Sequence, residues 1–212
     1  MESLALISLI SGILALLCLL ILHFVSPEFQ PSWRMISEYA MGKHKWLITS
    51  FFYFWGASSL VLSLVLWKEV TSGWALFGLV LLMVSGVGEI LGGVFDVKHK
   101  LHGLAFGLGV PTLPAAALLI GQNLVRSESW NAQSKLLLGA SHALWISLVL
   151  MALAMIVMMS GFKKAGIPMD PNTEPPEKVP DGVIALAGYA NRLLALCYIF
   201  WLLVVAYLYF TH

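Results

Sequence analysis

Eight side chains able to donate a proton, accept one or hold a charge stand in three short blocks bordering long apolar runs. Ser37 and Glu38 lie in "ISEYAMG"; Glu89, Asp96, His99 and His102 in "GEILGGVFDVKHKLHG"; Asn191 and Arg192 in "YANRLL". A hydroxyl, an imidazole and a carboxylate can share nucleophilic catalysis, with Ser37 as nucleophile, His102 as general base and Asp96 as its orienter. The same acids and imidazoles can instead hold a divalent metal that activates water, with Glu38, Asp96, His99 and His102 as candidate ligands. Glu38, Glu89, Asn191 and Arg192 can bind a polar headgroup without any reaction. Neither a G-x-S-x-G nor an H-E-x-x-H motif accompanies these residues, so the residue types leave the three chemistries open.

The elements that must position them are set by composition. Of 212 residues, 59% are hydrophobic and 11% charged, with a mean hydropathy of +0.88. A soluble domain carries about 25% charged residues. The net charge of +1 offers no basic surface for nucleic acid. Six apolar runs, at about 3–25, 46–67, 74–95, 103–124, 136–160 and 185–210, are long enough to cross a bilayer core of about 30 Å as helices. The predicted fold is all-α, one polytopic bundle of six transmembrane helices over residues 1–212, with a Pro-rich loop at about 161–184. The first run has no basic leader and no small-x-small cleavage site, so it reads as a retained helix rather than a signal peptide. Cys18 and Cys197 lie within apolar runs and match no metal or disulfide spacing.

Charge orients the bundle. Arg34, Lys43, Lys45, Lys98, Lys100, Lys163, Lys164 and Lys178 fall on one side, and Lys68, Arg126 and Lys135 on the other. The positive-inside rule puts the first side in the cytoplasm of a cell-membrane protein, with both termini outside. Trp46, Trp67, Trp74 and Trp130 stand at predicted span ends, where indoles anchor at the headgroups, while Trp55, Trp145 and Trp201 read as packing.

The chemical residues gather on the cytoplasmic side. Glu89 lies some 9 Å deep in the third span, at 1.5 Å per residue. Asp96 and His99 follow on the same face if the helix continues. Arg192 enters the sixth span at similar depth, so a Glu89–Arg192 pair is expected, since lipid penalises either charge alone. Ser37 and Glu38 approach from the first loop and are expected to close a site against Asp96, His102 or Arg192. His142 should make an interhelical hydrogen bond. Gly88-x-x-x-Gly92 and Gly103-x-x-x-Gly107 suit a close hairpin of the third and fourth spans. Pro111 and Pro114 should kink the fourth and open a pocket.

"ISEYAMG" after the first span, "GGVFD" ending the third and "LHGLAFGLG" opening the fourth resemble domain-of-unknown-function family 998 of six-pass bacterial and archaeal membrane proteins. The resemblance extends over nearly the whole chain. It implies a Ser-Glu pair at Ser37 and Glu38, a Phe-Asp pair at Phe95 and Asp96, and a His-Gly pair at His102 and Gly103. Where that family tends to have Pro and Thr, this chain has "VKHK", so no role for His99 follows from it. The resemblance implies no activity. "HALW" at 142–145 resembles the start of a motif of alkaline-ceramidase-like hydrolases, but Ile146 stands where the closing His would be, and that function is not carried over.

Three functions remain on these grounds. The first is binding or sensing a lipid or small amphiphile at the cytoplasmic end. The second is an intramembrane hydrolase acting on a lipid, using Ser37, His102 and Asp96 or a metal. The third is a structural or assembly subunit of a membrane complex. Membrane lipids are the expected partners, and the sequence does not choose between a homo- and a hetero-oligomer.

Overall fold

The computed structural model describes residues 1–167, 176 and 178–211. Helices α1 (Glu2–Val25), α2 (Lys45–Leu66) and α3 (Gly73–Val94) form the first three spans. The fourth is split into α4 (His102–Gly109) and α5 (Thr112–Leu124), and a short α6 (Glu128–Asn131) leads into α7 (Ser134–Lys164) and α8 (Ala187–Thr211). Six spans are therefore long and apolar enough to cross a membrane, and no strand occurs among the described residues. Lipid offers no hydrogen-bond partner, so each span must satisfy its own backbone, which helices do.

The spans close into a ring. Each packs against the next in sequence, α3 meeting both halves of the fourth, and α8 returns to α1. At the loop end, residues 26–44 fold inward as a cap rather than trailing into solvent. Within this cap Ile36–Met41 forms a short 3-10 helix that buries Ile36 and Tyr39. The cap lies directly on α8: a Cβ on Gly188 would sit 2.5 Å from the Pro31 carbonyl and 2.7 Å from the Trp33 nitrogen. Only glycine permits that approach. The far end of α7, through Met158 and Phe162, packs on Trp33 and Ala187 from below.

The fourth span breaks as its prolines require. Pro114 has no N–H to give the Val110 carbonyl, and the Tyr198 hydroxyl donates to it instead at 2.5 Å. The Gly109 carbonyl accepts from the Ser85 hydroxyl at 2.8 Å, and the Leu108 carbonyl from the Thr112 hydroxyl. Freed carbonyls in a membrane span must be met by side chains, and here α3, α8 and Thr112 of α5 itself supply them. Gly88 brings α3 against this break, where an added Cβ would lie 2.3 Å from the Gly109 nitrogen. Gly103 and Gly107 face open space instead, so the second glycine pair does not serve the hairpin.

Several expectations need correcting. α3 ends at Val94, so Asp96 and His99 fall in a turn and do not extend the Glu89 face. α7 runs on to Lys164, which places residues 161–164 in helix; much of the remaining Pro-rich loop lies outside the described residues. Trp130 is buried rather than anchored at headgroups, and Trp145 is exposed rather than packed. The Trp145 indole donates to His142 one turn away on the same helix, so His142 makes no interhelical bond there.

Candidate functional site

Two polar clusters occupy the capped end. The first surrounds Arg192, on the first turns of α8 and 7% exposed. Its Nε donates to His23 Nε2 at 2.7 Å, and one terminal nitrogen reaches the carbonyls of Arg34, Gly188 and Pro31 at 2.7, 3.1 and 3.2 Å. The other donates to the Tyr39 hydroxyl at 3.1 Å. His23 Nδ1 lies 2.6 Å from the Leu19 carbonyl. A carbonyl can only accept, so that nitrogen carries the proton and Nε2 is left free to accept from Arg192. The guanidinium thus ties α1, the cap and α8 together through neutral acceptors. It is not paired with Glu89, and the expected Glu89–Arg192 bridge is absent: the cap's backbone carbonyls have taken the guanidinium first.

Glu38 belongs to the cap's own structure. Its carboxylate accepts from the Met35 backbone N–H at 2.9 Å and pairs with Arg34 Nε at 2.8 Å. Burial pushes the Glu38 carboxyl above its ordinary value, more than the Arg34 charge and the Met35 N–H pull it down. Asn191 holds the same segment from α8, its Oδ1 accepting from the Ile36 N–H at 2.8 Å.

The second cluster lines a cavity of about 80 Å³ inside the ring, between α2, α3, α4 and α8 and beneath the 3-10 helix. Such a space admits several waters or a small headgroup, since one water needs about 10–15 Å³. Phe51, Phe52, Ala105 and Phe106 give it apolar walls; Ser37, Trp55, Glu89, His102 and Asn191 give it polar ones. Glu89 is 3% exposed. Its Oε2 contacts the Ser59 hydroxyl at 2.7 Å and its Oε1 the Ser85 hydroxyl at 2.8 Å. His102 Nδ1 lies 2.8 Å from the Phe95 carbonyl, which fixes the proton there and leaves Nε2 available. The buried indole N–H of Trp55 has no partner among the described residues.

Of the residues singled out in the sequence, Ser37, Glu89, His102 and Asn191 therefore share one cavity. Asp96 does not reach it. The Asp96 carboxylate pairs with Lys45 at 2.6 Å and accepts from the Lys98 N–H at 3.1 Å, and the Lys45 ammonium holds it below the usual Asp range. His99 stacks on Phe95 with ring centroids 4.5 Å apart and accepts from the Leu101 N–H. The Ser37–His102–Asp96 triad is thus not assembled, because Lys45 holds the acid and the Phe95 carbonyl orients the imidazole. Glu38, Asp96, His99 and His102 do not form a metal cage either, and no group of three or more potential metal-binding side chains occurs among the described residues. Neither Glu38 nor Ser37 makes a hydrogen bond to Asp96, His102 or Arg192, so the expected closure is not made; Ser37 only lines the cavity.

A model of one family, described as Protein of unknown function (DUF998), matches residues 9–208. The chain belongs to that family. No curated protein and no solved structure matched it. The DUF998 match takes in both polar clusters and runs from within the first span to within the sixth. Three residues of this DUF998 chain that matter at the cavity carried little signal in the sequence. Trp55 resembles any packing aromatic in an apolar helix. Ser59 and Ser85 are unremarkable serines, although Ser85 stands one turn before Glu89 and so could have been read as its partner.

Proposed function

We propose that this membrane protein binds a lipid or small amphiphile, whose polar head enters the cavity beneath the 3-10 helix and accepts the Trp55 N–H. The unmet indole N–H carries the reading. A buried donor without a partner costs about 1–3 kcal/mol, and natural interiors tolerate few. An oxygen supplied by a ligand removes that cost. Ser37 and His102, whose Nε2 is free, line the same cavity, and the apolar remainder suits the hydrocarbon next to a headgroup. Membrane lipids are the partners such a site would draw on.

The eight-to-three distribution of Lys and Arg supports a cytoplasmic position for the cavity end, with both termini on the far side of the cell membrane. A cysteine at Gly166 should resist an impermeant maleimide in intact cells and react once the membrane is opened; ready reaction from outside reverses the orientation. Position 170, in the same loop, lies outside the described residues.

Native mass spectrometry tests the binding. Wild-type protein purified in mild detergent should retain a discrete lipid-sized mass that Trp55→Phe loses. Equal retention by both, or no retained mass, defeats the reading and leaves a packing role in a larger assembly.

A further inference from the structure

The Ser85 hydroxyl lies 2.8 Å from Glu89 Oε1 and 2.8 Å from the Gly109 carbonyl oxygen. It has a single hydrogen. A carbonyl can only accept, and an ionised carboxylate can only accept. With Glu89 ionised, one of these two close oxygen contacts would hold no proton at all. With Glu89 protonated, each contact is a hydrogen bond: Glu89 donates to Ser85, Ser85 donates to Gly109, and Ser59 donates to the remaining carboxyl oxygen at 2.7 Å.

We infer that Glu89 holds a proton, and that this proton is linked through Ser85 to the broken fourth span. The Gly109 carbonyl belongs to the break between α4 and α5, where the helical ladder is interrupted. Removing the proton from Glu89 leaves Ser85 with two acceptors and one hydrogen. Either Glu89 Oε1 or the Gly109 carbonyl then loses its hydrogen bond, so the proton on Glu89 is what lets Ser85 serve the carboxyl and the break at once. The surroundings favour the neutral acid. The ion pairs among the described residues, Arg34–Glu38 and Lys45–Asp96, exclude it. The groups that share its cavity or bond it are Ser59 and Trp55 from α2, His102 from α4, Asn191 from α8 and Ser37 from the cap, and Tyr198 on α8 gives its own proton to Val110. The inference does not depend on the identity or existence of the lipid proposed above.

Infrared spectroscopy of the reconstituted protein, with and without ¹³C-labelled glutamate, tests it. At neutral pH the wild type should show a protonated-carboxyl C=O band that moves with the label. Glu89→Gln should lack it, and Ser85→Ala should shift it to higher frequency as the donated hydrogen bond is lost. Glu89→Gln is expected to fold, because an amide reproduces the donor and the acceptor of the neutral acid. If that variant does not fold, Glu38→Gln, which should leave the band in place, and Ser85→Ala, which should shift it, assign the band to Glu89. Absence of a labelled band at neutral pH overturns the inference, and a band unmoved by Ser85→Ala overturns the link to the break. Loss of lipid retention with the band intact would defeat only the proposed lipid site.

Discussion

The Arg192 cluster and the Trp55–Glu89 cavity lie at the same end of the bundle, and both bury groups that lipid penalises. Their hydrogen-bond accounts differ. Every nitrogen of the Arg192 guanidinium has an acceptor, drawn from α1, the cap and α8. In the cavity, among the described residues, the Trp55 N–H has none and the His102 Nε2 is free. Charge and depth single out both clusters equally. Satisfaction separates them: the first is a fastening, the second has capacity left over.

Substitutions should split the two clusters. Arg192→Met strips the donors from the carbonyls of Pro31, Arg34 and Gly188, and should cost about 1–3 kcal/mol for each buried acceptor left unmet. A large fall in melting temperature in detergent is the readout. Arg192→Lys should recover little, because a point ammonium cannot span the set that the planar fork reaches. A melting temperature unchanged in Arg192→Met would erase the distinction.

Gly88→Ala comes next. Its Cβ would meet backbone, not a flexible side chain, so α3 must withdraw from the break. Overpacking of this kind costs about 1–3 kcal/mol, and lipid retention should fall with the deformed cavity. Trp55→Phe should then behave unlike either. It removes an unmet donor and keeps an aromatic ring, so stability should hold or rise while retention is lost.

The smallest effect is at the rim. Lys45→Ala should cost about 0.2–1 kcal/mol, since that ion pair is solvent-exposed. Its pH dependence has a definite sign. Asp96 is held below its ordinary value, so its contribution is full above the ordinary Asp range and lost as pH falls through the lowered native value. Glu38, raised by burial, contributes in the opposite sense: its share is present below the ordinary Glu value and lost as pH rises through the raised one. Acid and base titrations of Asp96→Asn and Glu38→Gln melting temperatures should therefore deviate from wild type in opposite directions.

The six spans were legible because apolar length alone decides them, and the break at Pro111 and Pro114 because proline chemistry decides it. The end of the bundle where the polar clusters gather was legible from charge and depth. The partners were not. Glu89 and Arg192 have opposite charge and similar depth, yet Arg192 is consumed by backbone carbonyls of the cap, and every residue has a carbonyl. Asp96 and His99 would have shared the Glu89 face had the helix continued, but α3 stops at Val94, within a residue of the predicted end of the apolar run. Trp55 was read as packing only, because an unmet N–H is a property of the surroundings, not of the residue. The stretch "ISEY" proved to be part of a cap held by Asn191 and, through the Tyr39 hydroxyl, by Arg192, with Ser37 lining the cavity.

The central claim is that the cavity, through Trp55, takes an acceptor from a ligand. The indole N–H resonances of ¹⁵N-tryptophan-labelled protein report on it directly, with the Trp55 signal assigned by its loss in Trp55→Phe. Trp33 and Trp201 donate within the protein, to Gln30 and Ser141, and serve as internal controls. On titration with oleate or lysophosphatidylcholine in bicelles, the Trp55 N–H should shift downfield and saturate while those two stay in place. A Trp55 resonance that never moves with either amphiphile, or that moves no more than the controls, would contradict the claim.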